Sequence, residues 1–153
     1  MTEHTWSVYN GPLAAGSMIE SLRGLGYSPS TALADLTDNS ITAGASQVDL
    51  SLVWNDAHPY ISLLDNGHGM TKKELFDAMR LGYLNPLCTR SGNDLGRFGL
   101  GLKTASLSQC RSLTVLSRRK GYEISSLRWD LDYLSDEGNN DWTLLEDMFP
   151  SGC

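Results

Sequence analysis

The chain is poor in the features that mark secreted, membrane or nucleic-acid-coating proteins. It has three cysteines, Cys88, Cys110 and Cys153, an odd and widely spaced set that supports no disulfide framework and fits a reducing compartment. No apolar run reaches the ~18 residues needed to cross a bilayer. The opening residues, MTEHTWSVYNG, carry neither the basic nor the apolar stretch of a secretory leader. The expectation from these absences is a soluble, cytoplasmic protein without a membrane partner. Basic residues are also short: 12 Lys and Arg stand against 18 Asp and Glu, a net charge of −6. A surface built for a phosphate backbone normally has the opposite balance, so nucleic-acid binding is not expected of this domain alone. The three histidines, His4, His58 and His68, do not fall with the cysteines at zinc-ligand spacing. Internal repeats and low-complexity tracts are absent too.

What is present is the composition of a folded domain. At 153 residues, 41% apolar and 20% charged, the chain is long enough for one domain with a real core. AAGSMIESLRGLG gives a first helix broken by glycines. Ser28-Pro29 supplies an N-cap and a proline at the first helical position, opening a second helix that runs to about Ala43 and stops at Gly44. In QVDLSLVW, the residues Val48, Leu50, Leu52 and Trp54 alternate, which predicts a half-buried strand, and YISLL is its hairpin partner. Thr71 and Glu74 form the capping box of a third helix reaching about Leu81, with Leu75, Phe76 and Met79 inward. Residues 82–98 lack periodicity and read as a long loop, and long loops in compact domains are usually functional or disordered. A fourth helix fits 99–110. Strands SLTVLSR and YEISSLRW then flank an Arg119-Lys120-Gly121 turn, a solvated basic tip. The tail from Leu131 is acidic and poorly patterned. This order predicts an α/β fold, a two-layer sandwich with a mixed, largely antiparallel sheet and helices on one face.

Three stretches carry chemistry. In ALADLTDNSITAGA, helical spacing puts Asp35, Asn39 and Thr42 on one face and Leu33, Leu36 and Ala43 on the other. An ordinary amphipathic helix has this pattern. So does a helix that aims an amide at a hard cation and a carboxylate at a water. In DNGHGM, Asp65 ends a strand of buried appearance, and Gly67 and Gly69 suit a tight turn or the close approach of a ligand. A strand-end carboxylate there can accept from an exocyclic amine. The stretch GNDLGRFGLGLKTAS fails as a P-loop, because Leu102 separates Gly101 from Lys103, and fails as a dinucleotide fingerprint, because Thr104 takes the third glycine position. Its glycines still lead into a helix N-terminus suited to phosphates.

Taken together, these motifs resemble those of the GHKL ATPase superfamily: gyrase B subunits, ninety-kilodalton heat-shock chaperones, histidine kinases and mismatch-repair MutL. ALADLTDNSITAGA is similar to the N-box, DNGHGM to the first glycine box and GRFGLGLKTAS to the second. The likeness covers roughly residues 28 to 130 and is nearest to MutL-like and microrchidia-like modules of prokaryotes. It implies the Bergerat-type ATP-binding fold, with ATP and Mg2+ as ligand and cofactor. It assigns the metal contact to Asn39, the adenine amine to Asp65, and further nucleotide contacts to Gly67, Gly69 and Met70. Along the second box it assigns Gly96, Arg97, Phe98, Gly99, Leu100, Gly101, Lys103 and Thr104, with Lys103 near the outer phosphates. Residues 82–98 would form the lid, hinged at Gly82 and Gly92.

The resemblance also implies an activity: ATP hydrolysis to ADP and phosphate, lid closure, and an ATP-dependent homodimer. One departure bears on it. Hydrolysing members usually carry glutamate where this chain has Asp35, a catalytic candidate shorter by about 1.5 Å, one C–C bond. A general base has to come within roughly 2.6–3.2 Å of its target. A non-hydrolysing nucleotide sensor is therefore the alternative, with a histidine-kinase catalytic domain ranked below it. A second departure lies in the tail, where DWTLLEDMFPSGC contains Thr143 but no clear counterpart of the next superfamily strand. With no transducer or effector domain in view, one domain over 1–153, truncated at its C-terminus, is the expectation.

Overall fold

The computed structural model describes residues 15–24, 26–54, 58–81, 101–136 and 142–146. Helix α1 covers Ala15–Arg23 and α2 covers Pro29–Thr42. Ser28 caps α2: its hydroxyl accepts from the Thr31 amide at 3.1 Å, and Pro29 occupies the start of the helix. Gly44 ends it with φ of +73°, a conformation that favours glycine. The predicted stop is therefore met. The strands β1, Val48–Val53, and β2, Tyr60–Asp65, pair antiparallel with Leu50 opposite Leu63 and Leu52 opposite Ile61.

Helix α3 spans Lys72–Met79. The Thr71 and Glu74 capping box is present in both directions, the Thr71 amide donating to Glu74 Oε2 at 2.8 Å. The helix ends two residues before Leu81. Helix α4, Gly101–Gln109, leads into β3, Ser112–Ser117, which pairs antiparallel with β4, Ser125–Asp130. Gly121, at φ of +87°, makes the turn between them, and the Tyr122 amide closes it on the Arg119 carbonyl at 3.0 Å. The α/β class is as expected, and both ladders are antiparallel. The described strands form two separate two-stranded ladders.

One core joins the helices to β4. Ile19 of α1, Leu75 and Met79 of α3, Leu107 of α4, and Leu127 and Trp129 of β4 are buried together. The acidic tail contributes more than its sequence suggested. Asp130 caps a short helix α5, Leu131–Ser135, and that helix puts Leu131 and Leu134 into the same core. Further on, Leu145 bridges Arg128 with two backbone hydrogen bonds of 2.8 and 3.0 Å, so the tail adds a strand-like edge beside β4.

Three expectations about burial are corrected. The alternating face of β1 is not half-buried: Leu52 is 68% and Trp54 89% exposed. Strand β2, which Asp65 ends, is also largely exposed. Period-two alternation identifies a strand and its faces, and says nothing about whether another layer covers one of them. On α3, Leu75 and Met79 point inward but Phe76 lies on the exposed side, one residue off the buried stripe, beneath the Arg80 guanidinium.

Candidate functional site

The site is assembled around the C-terminal half of α2. The Ser40 side chain is buried at 3% exposure, and its hydroxyl donates to Asp65 Oδ2 at 3.1 Å. Asp65 Oδ1 accepts the Gly67 amide at 2.8 Å. The His68 amide donates to the Ala43 carbonyl at 2.9 Å. The glycine turn is thus stitched to the end of α2, and a side chain at Gly67 would put its Cβ 2.8 Å from both the Ala43 Cβ and the Ala43 carbonyl oxygen. Asn39, adjacent to Ser40, is exposed at the same helix end.

The far side of the turn rests on β3. The Met70 amide donates to Ser117 Oγ at 2.8 Å. Gly69 has φ of +65°, and a Cβ there would collide with the Arg118 carbonyl group. The two glycines of this box are accounted for by backbone approaching backbone. Beside them lies a cavity of about 460 Å³ lined by Gly67, His68, Arg118, Arg119, Lys120, Gly121 and Tyr122. Arg119 meets Glu74 at 2.5 Å and lies 3.3 Å from His68 Nδ1. Bonds from the Thr71 amide and hydroxyl, helped by Arg119, hold the Glu74 carboxyl below the usual carboxylate range. Asp35, Asn39 and Lys103 do not line this cavity.

Asp35 is half-buried one turn before Asn39. The Tyr27 hydroxyl donates to Asp35 Oδ2 at 2.6 Å. That bond, then burial and the carboxylate charge, hold the Tyr27 phenol above its ordinary range, while a Thr104 hydrogen bond works the other way. The Tyr27 carbonyl accepts from Gln109 Nε2 at 2.7 Å. Tyr27 therefore joins Asp35 of α2 to Gln109 of α4.

Lys103 requires a correction. It was expected to offer a charge to outer phosphates. The side chain is instead buried at 2% exposure, and its ammonium donates to the Ala78 carbonyl at 2.6 Å and the Arg80 carbonyl at 2.9 Å, at the C-terminal end of α3. Unpaired carbonyls at a helix C-terminus attract a cation. Burial lowers the Lys103 pKa to about 8. Gly101 opens α4, with nothing within 4 Å of an added Cβ. Gly96, Arg97, Phe98, Gly99 and Leu100, and the lid expected at 82–98, lie outside the described residues.

Of the expected residues, the structure brings Asn39, Asp65, Gly67, Gly69 and Met70 to the junction of α2, β2 and β3. It ties Asp35 to Tyr27, and sends Lys103 to α3. Sequence reasoning missed Ser40, Ser117 and Tyr27. Ser40 had a signal in its position next to Asn39, on the side of α2 that a turning strand end has to meet.

The model of the family described as histidine kinase-, DNA gyrase B- and HSP90-like ATPase matches residues 27–149. The chain belongs to this ATPase family. The match runs through the tail, beyond the 28–130 span that the motifs suggested, and includes the Leu145 bridge beside β4. Among curated relatives, ATPase morc-1 of Caenorhabditis elegans is 26% identical over 110 residues, 72% of this chain and 12% of that protein. The DNA mismatch repair protein MutL of Agrobacterium fabrum is 29% identical over 116 residues, 75% of this chain and 18% of that protein. The structural maintenance of chromosomes flexible hinge domain-containing protein 1 of Mus musculus is 31% identical over 112 residues, 57% of this chain and 6% of that protein. The chain thus spans less than a fifth of each of these three relatives. Membership supports ATP as the ligand, and both the MutL and the microrchidia likeness are borne out. No helix of the described residues is long and apolar enough to cross a membrane.

Proposed function

We propose that this domain binds ATP with Mg2+ at the end of α2, hydrolyses it slowly with Asp35 as the base, and couples occupancy to lid closure and pairing with a second copy. The observation that carries the reading is the Ser40–Asp65 bond, which joins the N-box helix to the first glycine box within a chain of an ATPase family. The donor set fits the ligand. Asp65 already accepts one bond on each oxygen, and a carboxylate has about four lone-pair sites, so capacity for an adenine amine remains. Asn39, exposed at the helix end, offers a neutral amide oxygen, a suitable single protein ligand for a cation that keeps waters and phosphates around it. Bound there, Mg2+ would offset phosphate charge.

The lid role of 82–98 and the phosphate contacts of Gly96 to Leu100, Gly101 and Thr104 rest on motif likeness. The geometry of Lys103 argues for a different role, holding the end of α3. Asp35 would take a proton from the attacking water. Its side chain is one C–C bond shorter than a glutamate, and a base left out of reach of that water gives the alternative, a nucleotide-binding module without hydrolysis.

The test is phosphate release from ATP with and without Mg2+, on the wild type and Asp35→Ala. The expected result is slow, Mg2+-dependent release lost in the variant. Turnover surviving in Asp35→Ala removes this residue from the mechanism. Thermal stabilisation by ATP of about 2.7 kcal/mol at a hundredfold excess over Kd, without release, selects the non-hydrolysing module.

A further inference from the structure

Asp35, proposed above as the base, has a hydrogen-bond partner that lies outside all three motifs. The Tyr27 hydroxyl lies 2.6 Å from Asp35 Oδ2, the length of a charge-assisted O–H···O⁻ bond. Tyr27 is itself fastened to α4, whose last turn holds Gln109: the Tyr27 carbonyl accepts from Gln109 Nε2 at 2.7 Å. Among the described residues no other hydrogen bond reaches the Asp35 side chain. We propose that Tyr27 is a positioning residue for Asp35, locking one carboxylate oxygen against α4 so that the other faces the attacking water.

This rests on the assignment of Asp35 as the base. Its physical content is the following. A half-buried aspartate on a helix samples more than one rotamer. A bond to a fixed phenol selects one. Because the Tyr27 carbonyl is held by Gln109 of α4, a shift of α4 on nucleotide binding also moves the hydroxyl that sets the carboxylate. Precision in the base is then conditional on the phosphate-binding helix. The hydrogen bond to Asp35, followed by burial and the carboxylate charge, holds the Tyr27 phenol above its ordinary range.

The experiment uses the full chain as wild type, Tyr27→Phe, Asp35→Asn and the double variant. ATP affinity is read by calorimetry and turnover by phosphate release. Tyr27→Phe is expected to hold ATP affinity within about twofold and to lower turnover about tenfold, the lower end for a hydrogen bond to a charged group. Asp35→Asn is expected to reduce turnover to background, with the double variant no lower. Wild-type turnover in Tyr27→Phe overturns the proposal, and so does an equal loss of affinity and turnover, which marks a structural role only. If the wild type releases no phosphate, the assignment of the base fails separately, and the clamp is read from tyrosinate absorbance against pH. Asp35→Asn then moves one of the six tyrosines down towards its ordinary titration range. An unchanged titration overturns the clamp.

Discussion

Replacing Gly69 by alanine tests whether the first glycine box is pinned between α2 and the backbone of the β3–β4 turn. Two penalties act at this position. The backbone φ of +65° costs an L-residue about 1–2 kcal/mol. The new methyl also meets the Arg118 carbonyl group, which is backbone and yields little, adding about 1–3 kcal/mol of overpacking. Together they give about 3 kcal/mol, which for a chain of this length lowers Tm by roughly 10 °C. Two other glycines separate the terms. Gly44 has φ of +73° but nothing within 4 Å of an added Cβ, so Gly44→Ala carries the backbone term alone, about 1 kcal/mol and roughly 3 °C. Gly101 has open space, and its φ lies outside the left-handed range, so Gly101→Ala raises stability by about 0.4–1 kcal/mol. Thermal melts followed by circular dichroism, without nucleotide, rank the three. A Gly69→Ala melt no lower than that of Gly44→Ala refutes the packing of the glycine turn on Arg118.

Other expectations follow from single contacts. Ser40→Ala removes the donor to Asp65, a bond to a charged group worth about 1.5–3 kcal/mol, and should lower both the melting temperature and ATP affinity. Thr71→Ala breaks the capping box of α3 at a cost of about 1 kcal/mol, read in urea denaturation. Lys103 makes stability depend on pH with a definite sign. Its pKa is about 8 in the folded chain against 10.5 when unfolded, so the unfolded state binds more protons between those values. Stability therefore rises as pH climbs through that window, by at most roughly 3 kcal/mol, and Lys103→Met should abolish the rise in urea titrations. The raised pKa of Tyr27 acts in the other direction. Its contribution is intact below the unfolded value of 10.0 and is lost as pH passes the folded one, so the lysine effect is cleanest below pH 10.0.

The legible parts of the molecule were those fixed by local chemistry. Ser28-Pro29, Thr71 with Glu74, and Gly44 act within one helix turn, and each terminates its element where the sequence indicates. The pairing of β1 with β2 follows from two alternating runs joined by a turn. Tertiary facts were less accessible. Lys103 follows a glycine box and carries a charge, which is what a phosphate ligand requires. A buried ammonium satisfying the carbonyls at the end of α3 has the same local sequence, and only the tertiary placement of the Lys103 side chain beside those carbonyls distinguishes the two. The exposure of Leu52 and Trp54 depends on which layer covers β1, information that lies far away in the chain. The acidic tail misled because charge dominated its composition, although Leu131 and Leu134, three residues apart, were sufficient for one buried helical turn. Tyr27 carried no motif; its importance arises from the spatial meeting of α2 and α4.

Isothermal titration of the chain with ATP, ADP and GTP, with and without Mg2+, beside Asn39→Ala and Asp65→Asn, tests the central claim most directly. The account predicts Mg2+-dependent ATP binding, preference for adenine over guanine, loss of the metal dependence in Asn39→Ala, and loss of the base preference in Asp65→Asn. ATP binding that is indifferent to both substitutions, or no binding at all, would contradict a nucleotide site at the end of α2.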